Sequence, residues 1–178
     1  MKRRSFLFAT LFAAPSAFGH SPWGQYVVYR QKHLLIMSSK VDPNSYPYSE
    51  ILVEALNRAE PSSKARPARA KSLERCYDLF STNQMQFMLL PRDATVQMLL
   101  GSGEFAGKPP LQMFTIYEFG DLVLSVHPKI KSNIIRIVTH AVLEQLEYLP
   151  AAAKPEAMLK SSNLHVDAHT AIVTFLAS

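Results

Sequence analysis

The chain has 178 residues, 48% of them hydrophobic and 19% charged, with a mean hydropathy near zero; this fits one globular domain and excludes disordered, collagen-like and fibrous classes. The single cysteine, Cys76, excludes an intrachain disulfide and any Cys-cluster zinc or iron–sulfur site. The formal charge of +5 falls to about +2 once Lys2, Arg3 and Arg4 are set aside, so the charge balance does not point to nucleic acid.

Residues 1–19 read MKRRSFLFATLFAAPSAFG: a basic start, an apolar run from Phe6 to Ala14, then small residues at Ala17 and Gly19 that suit a signal peptidase. The apolar run is too short to span a bilayer, so the segment reads as a cleavable export signal. Arg3-Arg4 followed by Ser5, Phe6 and Leu7 matches the twin-arginine pattern, which exports folded proteins, although the general secretory route accepts the same pair. The exported chain is expected to begin near His20, to form one domain over 20–178 and to work in a bacterial periplasm. A lone cysteine agrees, because an oxidising compartment penalises spare thiols. No cysteine near the cleavage point offers a lipid anchor.

After a lead containing Trp23 and Tyr26, the run His33–Ser39 (HLLIMSS) predicts a buried first strand. Asn44 and Ser45 can cap a helix with Pro47 in its first turn, and Tyr48, Ile51, Leu52, Ala55 and Leu56 fall on one face. Lys64–Ala70 alternates basic and small residues and predicts an edge strand, because Pro67 cannot sit in a sheet centre. Ser72 opens a second helix that closes near Asn83, with Leu73, Cys76, Tyr77 and Phe80 on one face. Gln86–Leu90 predicts a third strand, and Ala94–Leu100 a third helix. Gly101–Pro110 reads as a loop, and Leu111–His127 as two strands separated by Gly120-Asp121. Ile134, Ile135, Val138, Ala141, Val142 and Leu146 restore helical spacing; a linker over Pro150–Pro155, a short polar helix and a last apolar run, Ala171–Leu176, follow. Strands alternating with helices predict an α/β fold: a three-layer sandwich whose sheet is mainly parallel or mixed.

Three stretches resemble the solute receptors of TRAP transporters of the TAXI type. Leu34–Ser39 leading to Tyr46-Pro47 and the helix through Leu56 is similar to the family's opening. Ala70-Lys71-Ser72-Leu73-Glu74, the helix to Asn83 and the segment Gln84–Ala94 resemble its second helix and following strand. Leu164-His165-Val166-Asp167-Ala168 resembles a Leu-His-Pro-Gly-Ala signature near its C-terminus. Lys71 stands where the family has glycine, and Val166-Asp167 replace Pro-Gly. The resemblance implies a type-2 periplasmic binding-protein fold. Its members have two lobes and are about twice as long, so this chain is expected to form a single lobe.

Ligands of open α/β sheets sit beyond the carboxyl ends of the strands, at helix N-termini. That rule selects Ser38, Ser39, Ser45 and Tyr46 after the first strand, Ser72 at the second helix, and Arg92 with Asp93 after the third strand. Their N–H donors and the Arg92 fork suit a small organic anion, although Ser45 and Ser72 also serve as caps and Arg92-Asp93 as a surface pair or a helix start. A single lobe leaves such a half-site open to water. The expectation is weak binding, a pocket completed by dimerisation, or a face presented to a protein.

His165, Asp167 and His169, with an N-terminal His20, are the metal candidates; a strand puts the first three on one side, whereas a helix aligns the two histidines. His165 lies inside the family-like Leu164–Ala168 signature, and the cleavage that would expose His20 is itself an inference, so no metal or cofactor is expected. No nucleophile elbow, phosphate loop, dinucleotide fingerprint or His-Glu-x-x-His occurs. Cys76 lies on an apolar helix face and is expected to be an inert buried thiol, and Tyr77, Phe80, Met85, Phe87, Met88 and Met98 are expected core. The basic residues Lys64, Arg66, Arg69, Lys71 and Arg75 are expected on a solvated edge that can also face an acidic partner.

The leading expectation is therefore a non-enzymatic periplasmic solute-binding protein, or a partner protein of a transport system. Its partners would be a small carboxylate, a periplasmic or membrane protein, or a second copy, with no nucleic acid. The rival is an accessory subunit or chaperone of an exported redox enzyme.

Overall fold

A computed structural model describes Tyr29 and residues 32–178; residues 1–19, expected to be an export signal, and His20, Trp23 and Tyr26 lie outside the described residues. The strands are β1 (Leu35–Ser39), β2 (Arg66–Ala70), β3 (Phe87–Pro91), β4 (Phe114–Phe119) and β5 (Leu122–Val126). The helices are α1 (Ser45–Ala59), α2 (Leu73–Ser81), α3 (Arg92–Leu100), α4 (Ser132–Glu144), α5 (Pro155–Met158) and α6 (Val166–Leu176).

The sheet order is β2-β1-β3-β5-β4. The first three strands are parallel; β5 runs antiparallel to both β3 and β4, so the sheet is mixed. Side chains alternate across each strand. Ile36, Phe87 and Leu89 face a layer of α1, α4 and α6. Leu35, Met37, Met88 and Leu90 face α2, α3 and the loop through Phe105 to Met113. The result is the three-layer α/β sandwich expected from strand–helix alternation. The core expectation also holds: Cys76, Tyr77, Phe80, Met85, Phe87, Met88 and Met98 are all buried.

β2 is one edge of the sheet. Arg66 donates its N–H to the Leu34 carbonyl at 2.9 Å, and the Ala70 carbonyl accepts from Lys40 N–H at 2.8 Å. Alternate residues Pro67 and Arg69 therefore turn their backbone outward, and Pro67 has no N–H to offer there. The Asn57 side chain covers the next outward position, accepting from Ala65 N–H at 2.7 Å and donating to its carbonyl at 3.0 Å. Strand pairing at this edge is blocked by construction.

Three expectations change. Ile51 is 39% exposed and Val53 is buried in its place, because α1 meets the sheet along Ser45, Ser49, Leu52, Val53 and Leu56. The segment after Pro150 is no free linker: Ala152 bridges Phe119, and Leu164 bridges Thr115, so both cover the β4 edge. Ala171–Leu176 continues a helix from Val166.

Candidate binding rim

The carboxyl ends of β1, β2 and β3 open on one rim, where each loop leads directly into a helix. The Lys40 N–H bond to Ala70 ties the first two loops together, and Arg92 N–H donates to the Asp121 carbonyl at 2.7 Å, tying the third to the β4–β5 turn. All seven residues predicted as ligand contacts lie here, but they serve different ends.

Ser38, Ser39 and Ser45 are fully buried. Ser38 Oγ donates to the Ala68 carbonyl at 3.3 Å. Ser39 Oγ accepts from Val41 N–H at 3.2 Å, and Ser45 Oγ accepts from Ser39 N–H at 3.3 Å. These hydroxyls knit the β1–α1 loop and do not face solvent. The predicted Asn44 cap makes no side-chain bond; the Asp42 carboxylate instead accepts the Ser45 N–H. The chain's own anion thereby occupies the amino end of α1, and Pro47 supplies no further donor.

Ser72 caps α2 as expected, its Oγ accepting from Arg75 N–H at 3.1 Å. Tyr46 carries the Arg69 guanidinium over its ring, 4.4 Å from the centroid. Arg69, Lys71, Ser72 and Arg75 line a shallow open groove of about 590 Å3 together with Glu74 and Asp78. Both acids lean to Lys108, at 2.8 and 3.7 Å. The Lys108 ammonium holds the Glu74 carboxyl below the usual range. Lys71 and Arg75 make no ion pair among the described residues, so the groove keeps an excess of positive charge.

Arg92 does form the bidentate carboxylate pair its chemistry favours, but with Glu118 of β4, at 2.8 and 3.1 Å. That bond raises the guanidinium pKa further, and Asp121 and Asp93 add to the effect. Asp93 is exposed in the first turn of α3. Sequence reasoning missed Asp42, Glu118 and Asp121. Asp42 was legible as an acid three residues before a helix start, whereas Glu118 depends on the sheet order.

A second cleft, of about 540 Å3, lies at the amino ends of the parallel strands, away from the rim. Its apolar wall includes Leu34, Phe87, Ile130, Ile134, Ile137 and Val138.

The metal candidates do not converge. His165 caps α6, its Nδ1 accepting from Asp167 N–H at 3.1 Å, and packs edge-on against Phe114. Burial lowers its pKa against a smaller opposing pull from Asp167. His169 is exposed on the next turn, and His20 lies outside the described residues. Among the described residues no group of three His, Cys, Asp or Glu side chains is placed to hold a metal ion. Cys76 is fully buried, its pKa pushed up to about 12 by desolvation, so its thiolate is not formed near neutral pH. No described helix is long and apolar enough to cross a membrane.

No protein-family model matches the chain, and no curated protein matches it.

Proposed function

We propose that the chain is a non-enzymatic, exported solute-binding-like protein, a one-lobe relative of TAXI-type receptors, that uses its strand-end rim as the recognition surface in the periplasm. The observation that carries this reading is the groove at the head of α2, where Arg69, Lys71 and Arg75 surround the Ser72 cap and remain available to a carboxylate. The rest of the rim limits what such a site achieves alone. Asp42 and Glu118 already take the α1 terminus and the Arg92 fork, and the groove is open, so its charges are screened. A pocket that binds tightly buries most of its ligand, which this rim alone does not do.

Calorimetric titration of the purified protein with succinate and with glutamate tests the reading. Binding weaker than micromolar that drops further when Lys71 and Arg75 are both changed to alanine is expected. Micromolar or tighter binding by a monomer, or binding indifferent to those two substitutions, contradicts it.

The Arg3-Arg4-Ser5-Phe6-Leu7 start favours a second reading, an accessory subunit or chaperone of an exported redox enzyme, since that route carries folded complexes. Recovery of the protein with one stoichiometric redox enzyme from periplasm supports this second reading over the first.

A further inference from the structure

The rim is electrically divided along the sheet order. At the β2 and β1 end stand Lys40, Arg69, Lys71 and Arg75, all exposed and in no ion pair among the described residues, while the Glu74 and Asp78 carboxylates there are taken up by Lys108. At the β3 and β5 end stand Asp93 and Asp121, also exposed, beside a Glu118–Arg92 pair that cancels internally. Strands lie about 4.8 Å apart, so β2 and β5, three places distant, are separated by about 14 Å. That exceeds the Debye length of about 8 Å at physiological ionic strength, so the two halves do not neutralise each other within one copy. Each half also exposes a valine: Val41 (65%) beside Lys40, and Val96 (43%) one turn along α3 from Asp93.

We infer that the occupant of this rim is a second copy of the chain, related by a two-fold axis near β1 and β3, so that Asp93 and Asp121 of each copy face Lys71, Arg75 and Arg69 of the other. An isologous contact requires a patch complementary to itself after a half-turn, and a rim with opposite charges on its two sides meets that requirement. The β2 edge, with Pro67 and the Asn57 cover, and the β4 edge, bridged by Ala152 and Leu164, both disfavour joining the two sheets into one, a mode that would compete with face-to-face meeting of the rims. The inference rests on the rim being the recognition surface: the second copy supplies the wall that a single lobe lacks, and carboxylates of one copy close the groove of the other. Small acids then compete with Asp93 and Asp121 for the groove.

Sedimentation of the full protein at low and high salt, with two charge-reversed variants, tests this. The wild type is expected to dimerise at low salt and to dissociate as salt rises. Lys71→Glu with Arg75→Glu makes both halves acidic, and Asp93→Lys with Asp121→Lys makes both basic; each variant alone is expected to dimerise at least about tenfold more weakly. Mixing the two variants is expected to restore association as a heterodimer, which also proves that both are folded. A wild type that stays monomeric at low salt, variants that dimerise as well as it does, or a mixture that does not associate overturns the inference. A monomeric wild type whose succinate binding still depends on Lys71 and Arg75 removes the dimer and leaves the rim as the recognition surface. Loss of that dependence in a protein that still dimerises has the reverse meaning.

Discussion

The carboxylate of Asp42 accepts the backbone N–H of Ser45 and so sits at the amino end of α1, where an anionic ligand of a strand-end site would otherwise lie. The contact stabilises the helix and reduces what the rim offers to a free anion. Replacing Asp42 with alanine is expected to lower stability by about 1 kcal/mol, as for loss of a helix cap. It should also make sulfate raise the melting temperature more than it does in the wild type. Chemical denaturation and thermal melts with added sulfate check both effects; equal sulfate responses contradict the assignment.

The Arg92–Glu118 pair joins the head of α3 to β4, with 46% of the Arg92 side chain and 20% of that of Glu118 exposed. Partial exposure discounts its energy to about 1 kcal/mol or less despite bidentate geometry. A double-mutant cycle with Arg92→Ala and Glu118→Ala should give a coupling of that size that shrinks in high salt. A coupling insensitive to salt would show that the pair is effectively desolvated.

Tyr117 is buried in β4 and donates its hydroxyl to the Ala153 carbonyl at 2.7 Å, pinning the segment that covers the sheet edge. Tyr48 does the same for Pro150, also at 2.7 Å. Tyr117→Phe leaves that carbonyl without its donor and is expected to cost about 1 to 2 kcal/mol. Amide exchange around Ala151–Lys154 should rise with it. A variant as stable as the wild type contradicts the role.

These examples show what the sequence carried. The first three strands and the helices between them were legible because apolar runs and turn residues act locally, and Pro67 alone marked β2 as an edge. The antiparallel insertion of β5 between β3 and β4 was not, since strand order depends on which surfaces pack. Ser38, Ser39 and Ser45 were assigned to a ligand by position at a strand end. A loop that turns this tightly consumes its own hydroxyls, through contacts that no local sequence pattern encodes. The role of Glu118 required β4 to pass beside α3, a contact 26 residues apart in sequence.

Two histidines make stability depend on acidity. His127 is buried against Phe80, its Nδ1 accepting from Lys129 N–H at 3.1 Å, and desolvation with nearby Lys129 lowers its pKa. His165 is shifted the same way by burial. Below the ordinary histidine value of about 6.5 the unfolded chain binds more protons than the folded one, so stability falls as pH drops through that value and on past the lowered folded pKa. Denaturant midpoints measured across this window should decline, and less steeply in His127→Phe. A flat profile contradicts the assignment.

Cys76 is buried, with Sγ 3.8 Å from the Ser38 carbonyl. A disulfide reagent is expected to leave it unmodified in the native protein and to label it promptly in denaturant, with the native rate set by opening of the fold. Fast native labelling contradicts the placement.

The central claim is that the strand-end rim, and not the cleft at the opposite end of the sheet, is the recognition face. Backbone amide shifts recorded by NMR during titration with succinate test it most directly. The account predicts changes confined to the loops around Lys40–Tyr46, Lys71–Arg75, Arg92–Asp93 and Gly120–Asp121. Changes centred on Leu34, Phe87 and Ile134–Val138 with a silent rim would contradict it.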